Sequence, residues 1–456
     1  MLSPNLHVLI IGAGTGGLCL AHGLKQAGVS VAVYERHRTR TDGLHGYRVG
    51  IDPDGNRALH DCLPADLFKT YVATTARTPH YFNMLTENFE ELLSLGPKER
   101  LSLRQDDVIN TEYSVSRMTL RQVLLTGVED VVHFGKDFAH YAQRPDGRVE
   151  AFFEDDSSVV GDVLIAADGS HSRVRKQYLP HAKLEDTGLT GVTGKVAMTE
   201  DTKRLLPPKV LDGVSLVFGP KGYSTIIHVM EFPWDHQGNL RKNIGGNDAE
   251  LLRRWPGLLY DNTRDYIMWG FGGADRNLPA NISNMKGPEL QQLVLELTKK
   301  WHPDLRELYR LSDPTATFPL KVRTSRPIPL WKTTNITLIG DAIHTMTPGR
   351  GVGANTALRD ARLLCRHLVK VRDGRQSLLE AIYKYETKMV EYGFDAVRKS
   401  RAEGDGNDAL HKPVIGTLAL TGMRTGMRII NRIPAMKRRM ARQTAVFRGV
   451  DRDDEN

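Results

Sequence analysis

The stretch His7–Glu35, HVLIIGAGTGGLCLAHGLKQAGVSVAVYE, constrains this chain more than any other. His7–Ile11 is a nearly continuous apolar run, the pattern of a strand buried on both faces of a parallel sheet. It leads into Gly12-Ala-Gly14-Thr15-Gly-Gly17, then a helical stretch from Leu18 to Gln26, then a second apolar strand, Val29–Tyr34, that ends at Glu35. The three glycines of the motif meet different needs. Gly12 permits the tight turn, Gly14 lets a pyrophosphate approach the backbone, and Gly17 lets the helix pack on the strand. The helix start, with Thr15, presents free amides and a positive dipole end to phosphates. Glu35 is placed to accept from adenosine-ribose hydroxyls, with Arg36 beside it. A carboxylate there prefers a free 2′-hydroxyl and repels a 2′-phosphate, so the site suits FAD or NAD rather than NADP.

A dinucleotide needs one such junction, yet the chain builds a second. Asn335–Ile339 reads as a strand with Gly340 and Asp341 at its end. A loop with Pro348, Gly349, Gly351, Val352 and Gly353 then opens a helix from about Ala354 and Asn355 to Val371. Asp341 sits where a sugar-like chain could hydrogen-bond, and the helix aims its positive end at whatever the loop encloses. Between the two junctions, the apolar run 161–167 leads into Asp168-Gly-Ser-His-Ser172-Arg-Val-Arg175, a strand end followed by a capped basic helix start.

Together these three motifs resemble those of the FAD-dependent monooxygenases of the para-hydroxybenzoate hydroxylase type. That family carries a GxGxxG near its start, a "DG" motif in mid-chain and a "GD" motif late. Here they correspond to Gly12–Gly17 with Glu35, to the segment around Asp168, and to Gly340-Asp341 through Pro348 to Asn355 and Asp360. Tyr47-Arg48-Val-Gly50 resembles the family's FAD-contacting arginine segment, and Ser116-Arg117 its arginine-bearing helix start. The resemblance implies one long ligand, non-covalent FAD, held at both ends, with NADPH or NADH as a transient reductant. It implies an α/β fold: a Rossmann-like FAD-binding domain (residues 1–75, 105–180 and 331–395), an inserted, mainly antiparallel substrate domain (76–104 and 181–330) and a C-terminal helical segment (396–456). It also implies the chemistry. Reduced flavin takes up O2 as a C4a-hydroperoxide, which hydroxylates or epoxidises an aromatic or polycyclic small molecule in secondary metabolism or degradation. The alternatives are a reductase, epoxidase or Baeyer–Villiger enzyme on the same fold, and a non-catalytic flavin protein with a basic docking tail. The halogenase motif WxWxIP is absent.

The region 185–330 reads as short alternating strands, Val214–Phe218, Ser224–Met230 and Tyr266–Phe271, with an amphipathic helix at Leu290–Trp301. A sheet of this kind would cover the flavin and exclude water. Because the cofactor carries the hard chemistry, no protein nucleophile or metal is required. Tyr223, His228, Trp269 and Arg323 are the candidates for facing the substrate, with no catalytic base assigned among them.

The net charge of +8 has one source. Residues 421–450 hold eight basic residues and no acidic one, so the rest of the chain is nearly balanced. This run is expected to be a solvated or interdomain helix face broken at Pro434, with neither nucleic acid nor membrane as partner. Three widely spaced cysteines (Cys19, Cys62 and Cys365) offer neither a disulfide framework nor metal-ligand spacing, in keeping with a reducing, cytoplasmic location. The expected assembly is a monomer or homodimer.

Overall fold

A computed structural model describes residues 6–40, 42, 47–99, 107–232, 265–402, 404–450 and 452. The remaining parts of the expected domains, chiefly 100–106 and 233–264, lie outside the described residues. The chain is a mixed α/β protein. Its central sheet is parallel, in the order Ile336–Leu338, Val163–Ala166, His7–Ile11, Ser30–Glu35, Val132–Phe134. The apolar runs read from sequence sit at its middle, and Val8, Leu9, Ile10, Leu164 and Ile165 are fully buried. Helices Thr15–Gln26, Pro53–Cys62 and Gly353–Arg372 pack together on it.

The second large sheet has seven strands, in the order Phe318–Ser325, Leu184–Ala197, Tyr266–Ala274, Ser224–Met230, Gly213–Phe218, Tyr81–Thr86, Glu91–Leu95. All neighbours are antiparallel except Gly213–Phe218 against Tyr81–Thr86. Alternation along the strands gives the sheet two unlike faces. On the back face Ile227, Ile267, Trp269 and Phe271 form a core with Leu290, Val294, Leu305 and Tyr309 from helices Gly287–Leu297 and Pro303–Arg310. On the front face Met230, Tyr266 and Met268 belong to the core of the dinucleotide-binding unit. The front of the second sheet is thereby turned toward the cofactor-binding half. The two-stranded ribbon of Arg48–Ile51 and Tyr113–Ser116 lies between the two halves.

The basic C-terminal run forms helices Ile415–Arg432 and Pro434–Phe447, and the break falls at Pro434. Met427, Ile430, Met440 and Ala441 pack on Leu93, Leu95, Phe82 and Met84, covering an edge strand that would otherwise be open to pairing. The charges are complementary: Arg428 meets Glu90 at 2.9 Å, Lys437 meets Glu99 at 3.5 Å and Arg448 meets Glu112 at 2.9 Å, and Arg424 pairs with Glu87. Among the described residues no helix is long and apolar enough to cross a membrane. The three cysteines, distant in sequence, converge: a Cβ on Gly23 would lie 2.7 Å from the Cys365 sulfur and 3.1 Å from that of Cys62. Their thiols are buried and free.

One buried histidine carries a pH dependence. His22 lies between helices Thr15–Gln26 and Arg117–Leu125, with Nε2 2.9 Å from the Leu124 carbonyl. Burial pushes its pKa down to about 4, against the partial support of the Leu124 carbonyl. A depressed histidine leaves stability intact above its unfolded value near 6.5 and removes it as pH falls toward 4. That window corresponds to a loss of about 3 kcal/mol at 1.36 kcal/mol per pKa unit. In urea titrations the wild type should lose stability across this range, and His22→Gln should flatten the loss.

Candidate active site

Each glycine of the first turn meets a different constraint. Gly12 has φ +106°, and a Cβ there would collide with the Ala167 carbonyl oxygen. A Cβ on Gly17 would collide with the Gly12 oxygen, where helix and strand touch. Gly14 is different, because a Cβ would meet nothing closer than the Ala167 oxygen at 3.8 Å. The protein's own packing does not need Gly14 to be bare, and the open space beside it leaves room for a ligand to approach the backbone. The helix that begins at Thr15 has no side-chain cap and no acid in its first turn, so its leading amides remain available to an anion.

Gly12, Gly14 and Thr15 line a groove of about 400 Å³ together with Glu35, Arg36, Arg117 and Asp168. Glu35 is buried and already holds its own loop: Oε2 accepts from the Ala13 N–H at 2.8 Å, and Oε1 accepts from the His37 N–H at 3.0 Å. Asp168 Oδ2 accepts from the Arg173 N–H at 2.9 Å, while its buried Oδ1 has no protein partner. Burial raises its carboxyl above the usual range, and the Ser172 hydroxyl and backbone amides partly offset this. An orphaned acceptor, a bare Gly14 and an uncapped helix start in one groove fit the phosphate and hydroxyl groups of a dinucleotide. Arg121, Lys136, Arg173 and Lys176 also line it, and sequence reasoning missed their part in it. Arg121 left a trace, four residues after Arg117 on the same helix face, and so did Arg173, inside the mid-chain motif. Lys136, from the Val132–Phe138 segment, and Lys176 are brought to the groove by the fold.

The late loop is held by one buried carboxylate. Asp360 accepts from the Gly340 N–H at 2.7 Å, from the Tyr392 hydroxyl at 2.6 Å, and pairs with His344 Nε2 at 2.6 Å. Burial alone would lower the His344 pKa, but Asp360 outweighs it and the net shift is upward. Gly340 takes φ +60° and Gly351 φ +65°, which turns the chain into helix Gly353–Arg372. Val352 precedes this helix without a side-chain cap, and the first turn, with Ala354 and Asn355, contains no acid. Asn355 fastens the helix to the ribbon: its Nδ2 donates to the Gly50 carbonyl at 2.9 Å, and its Oδ1 accepts from the Asp52 N–H at 3.0 Å. Pro348 is exposed at the loop's tip. Asp341 is closely surrounded by protein, which raises its carboxyl against the pull of His344, Arg117 and Arg175, yet its surface stays exposed to solvent. It therefore faces a cleft and not a core. Arg175 is a structural tie: it donates to the carbonyls of Ala342 at 2.8 Å and Ser170 at 2.7 Å, joining the middle and late motifs.

The front face of the second sheet supplies the candidate substrate wall. Met84, Leu216, Ile226 and Met268 are half-buried there, and Gly191, Gly270 and Gly272 leave part of it without side chains. His228 belongs to this face, with Nε2 3.2 Å from Ser114 Oγ. That same oxygen lies 3.2 Å from Arg48 Nε and 3.1 Å from Nη2. A hydroxyl that accepts from a guanidinium has its single proton left for the imidazole, so Ser114 links the substrate sheet to the Arg48 strand.

Tyr223 and Trp269 do not face this cleft. Trp269 is fully buried on the back face, donating to Ser312 Oγ at 2.6 Å and packed edge-on against Tyr309. Tyr223 donates to the Asn277 carbonyl at 2.9 Å and packs on Phe271. Arg323 is exposed on the edge strand, where its charge reaches His171 and Asp186. Arg350 turns to the C-terminal helix, its guanidinium 4.3 Å from the centre of the Phe447 ring.

The model of the FAD binding domain matches residues 5–51 and 302–399. A solved structure described as an FAD-containing monooxygenase from Photorhabdus luminescens subsp. laumondii shares 32% identity, covers 88% of this chain and 98% of its own, and superposes with a TM-score of 0.74. The chain belongs to the FAD-dependent flavoprotein monooxygenase family. A dual O-methyltransferase/FAD-dependent monooxygenase of Cercospora beticola is 33% identical over 399 residues, which make up 84% of this chain and 44% of that protein, so the chain spans less than half of this relative. A 6-methylsalicylate 1-monooxygenase of Aspergillus terreus is 28% identical over 384 residues, 79% of this chain and 74% of its own.

These contacts set expectations for flavin binding and for stability. Gly14→Ala should keep the wild-type melting temperature and lose flavin absorbance on gel filtration. Gly17→Ala should melt at lower temperature, since overpacking against backbone costs about 1–3 kcal/mol. Asp341→Ala and Asp168→Ala should each weaken FAD binding about 10- to 100-fold in flavin fluorescence titrations, as expected for a lost charged hydrogen bond of roughly 1.5–3 kcal/mol.

Proposed function

We propose that this chain is a single-component monooxygenase that binds FAD non-covalently, is reduced by NADPH or NADH, and inserts one atom of O2 into an aromatic or polycyclic small molecule. The observation that carries the reading is the groove, where the orphaned Asp168 oxygen, the bare Gly14 and the uncapped helix start meet. Bound there, FAD supplies the redox chemistry and the activation of oxygen. The amides at Thr15–Gly17 would hold its pyrophosphate, Glu35 and Asp168 its hydroxyls, and Asp341 its middle. The start of helix Gly353–Arg372 would stabilise negative charge at its far end.

The chain's own residues do the rest. The front of the seven-stranded sheet, with its apolar side chains and bare backbone, suits a flat ring and keeps water away from the reacting centre. His228 is a polar group on that wall, oriented through Ser114. The name of the Aspergillus relative points the same way, toward a small phenolic acid.

The test is NAD(P)H oxidation by the purified yellow protein across phenols, salicylates and fused-ring quinones, with labelled dioxygen. One class should raise oxidation severalfold and carry the label into product. Oxidation that no compound stimulates, with all oxygen appearing as peroxide, would count against a monooxygenase.

A further inference from the structure

A second cavity, of about 580 Å³, opens between helix Pro434–Phe447, helix Leu378–Arg401 and the first turn of helix Gly353–Arg372. It shares no lining residue with the cofactor groove. Its charges do not cancel. Asp54 is taken by Arg57 at 2.5 Å and by Arg452, and Asp395 by Lys399 at 2.7 Å. Asp52 caps a helix by accepting from the Gly55 N–H at 3.1 Å. Burial, then Asp54, raises its carboxyl above the usual range, against the pull of the Gly55 amide and Arg448. Arg439 and Arg442 are left over. They stand three residues apart on one helix face and both line the cavity. Among the described residues neither has an ion-pair partner, whereas Arg424, Arg428, Lys437 and Arg448 of the same basic run each hold a carboxylate. Docking of the C-terminal helices therefore accounts for those four; of the other four basic residues of the run, Arg432, Arg438, Arg439 and Arg442, the last two line the cavity.

Two guanidinium groups facing one cavity match a phosphate, which they can grip in forked fashion. Tyr392, Val446 and Phe447 add apolar wall. The place also matters, because Val352 and Asn355 line this cavity and stand at the helix start assigned to the flavin's far end. We propose that this cavity receives the phosphate-bearing end of the nicotinamide dinucleotide reductant, held by Arg439 and Arg442. The proposal rests on the monooxygenase reading and adds to it a place for the reductant, which has no dinucleotide motif of its own in the sequence.

The test uses the FAD-loaded protein and titrates NADP+ and NAD+ by calorimetry, beside the concentration dependence of anaerobic flavin reduction by NADPH and NADH. Changing Arg439→Ala and Arg442→Ala together should raise the dissociation constant of the preferred nucleotide at least tenfold, with FAD content and dithionite reduction unchanged. Changing Arg432→Ala and Arg438→Ala, basic residues outside the cavity, should leave binding as in the wild type. Should the double change at 439 and 442 unfold the protein, Arg442→Gln alone should still weaken binding severalfold. A larger loss for NADP+ than for NAD+ identifies the 2′-phosphate as the anion held, and equal losses identify the pyrophosphate. Unchanged nucleotide binding in the Arg439/Arg442 variants overturns the proposal, as does a wild type that binds neither nucleotide. In the second case, dithionite-reduced protein that still oxygenates substrate on exposure to air shows that the monooxygenase reading stands without it.

Discussion

The two glycine-rich junctions of this chain meet at one residue, and the architecture of the site depends on that contact. Ala357, in the first turns of helix Gly353–Arg372, lies against both Gly16 and Gly340: a Cβ on Gly16 would be 3.3 Å from the Ala357 Cβ, and one on Gly340 only 2.8 Å. Any larger side chain at either glycine would push the helix away. Close approach sets two helix starts beside the ends of strands that flank Val163–Ala166 in the parallel sheet, where α/β folds gather their ligands. Asp360, a turn further along the same helix, then ties down the Gly340 turn, His344 and Tyr392. A buried carboxylate with several donors is costly to disturb, because removing one partner leaves charge without compensation.

From this frame the substrate sheet is held at arm's length by the ribbon of Arg48–Ile51 and Tyr113–Ser116. Asn355 grips the ribbon from the cofactor side, and Ser114 meets His228 from the substrate side. A shift of the sheet is thus felt at Arg48, in the segment expected to touch the flavin. The C-terminal helices close the arrangement from outside. Apolar packing on Leu93 and Leu95 and ion pairs to Glu87, Glu90, Glu99 and Glu112 consume half of the basic residues that give the chain its net charge.

Where periodicity and turn chemistry decide the matter locally, the fold is legible in the sequence. The strand, turn, helix and second strand of 7–35 stand as read, as does the break at Pro434. The substrate strands are legible too, but not their facing. Tyr223 and Trp269 lie on the back of the sheet because successive residues alternate sides, and both faces of this sheet are partly apolar, so the pattern carries no sign telling front from back. Arg350 belongs by sequence to the late loop, beside the cofactor motif, yet it rests on Phe447, nearly a hundred positions away. Arg175 follows the mid-chain motif as one more basic residue, and the fold makes it the bond between two motifs.

By itself the sequence determined the elements whose cause is local: the buried apolar strands, the turn that only glycine can make at Gly12, the uncapped helix starts, and hence the class of ligand. Tertiary structure alone decided what depends on contacts between distant segments. Those contacts bring three far-flung cysteines together near Gly23, lay Arg121, Lys136 and Lys176 along one groove, and turn His228 rather than Trp269 toward the Arg48–Ile51 and Tyr113–Ser116 ribbon. They also separate the basic residues that are spent on docking from the pair that lines the second cavity. The physical reason is that strand pairing and helix packing set the partners of a side chain, and one residue's place in the chain does not specify them.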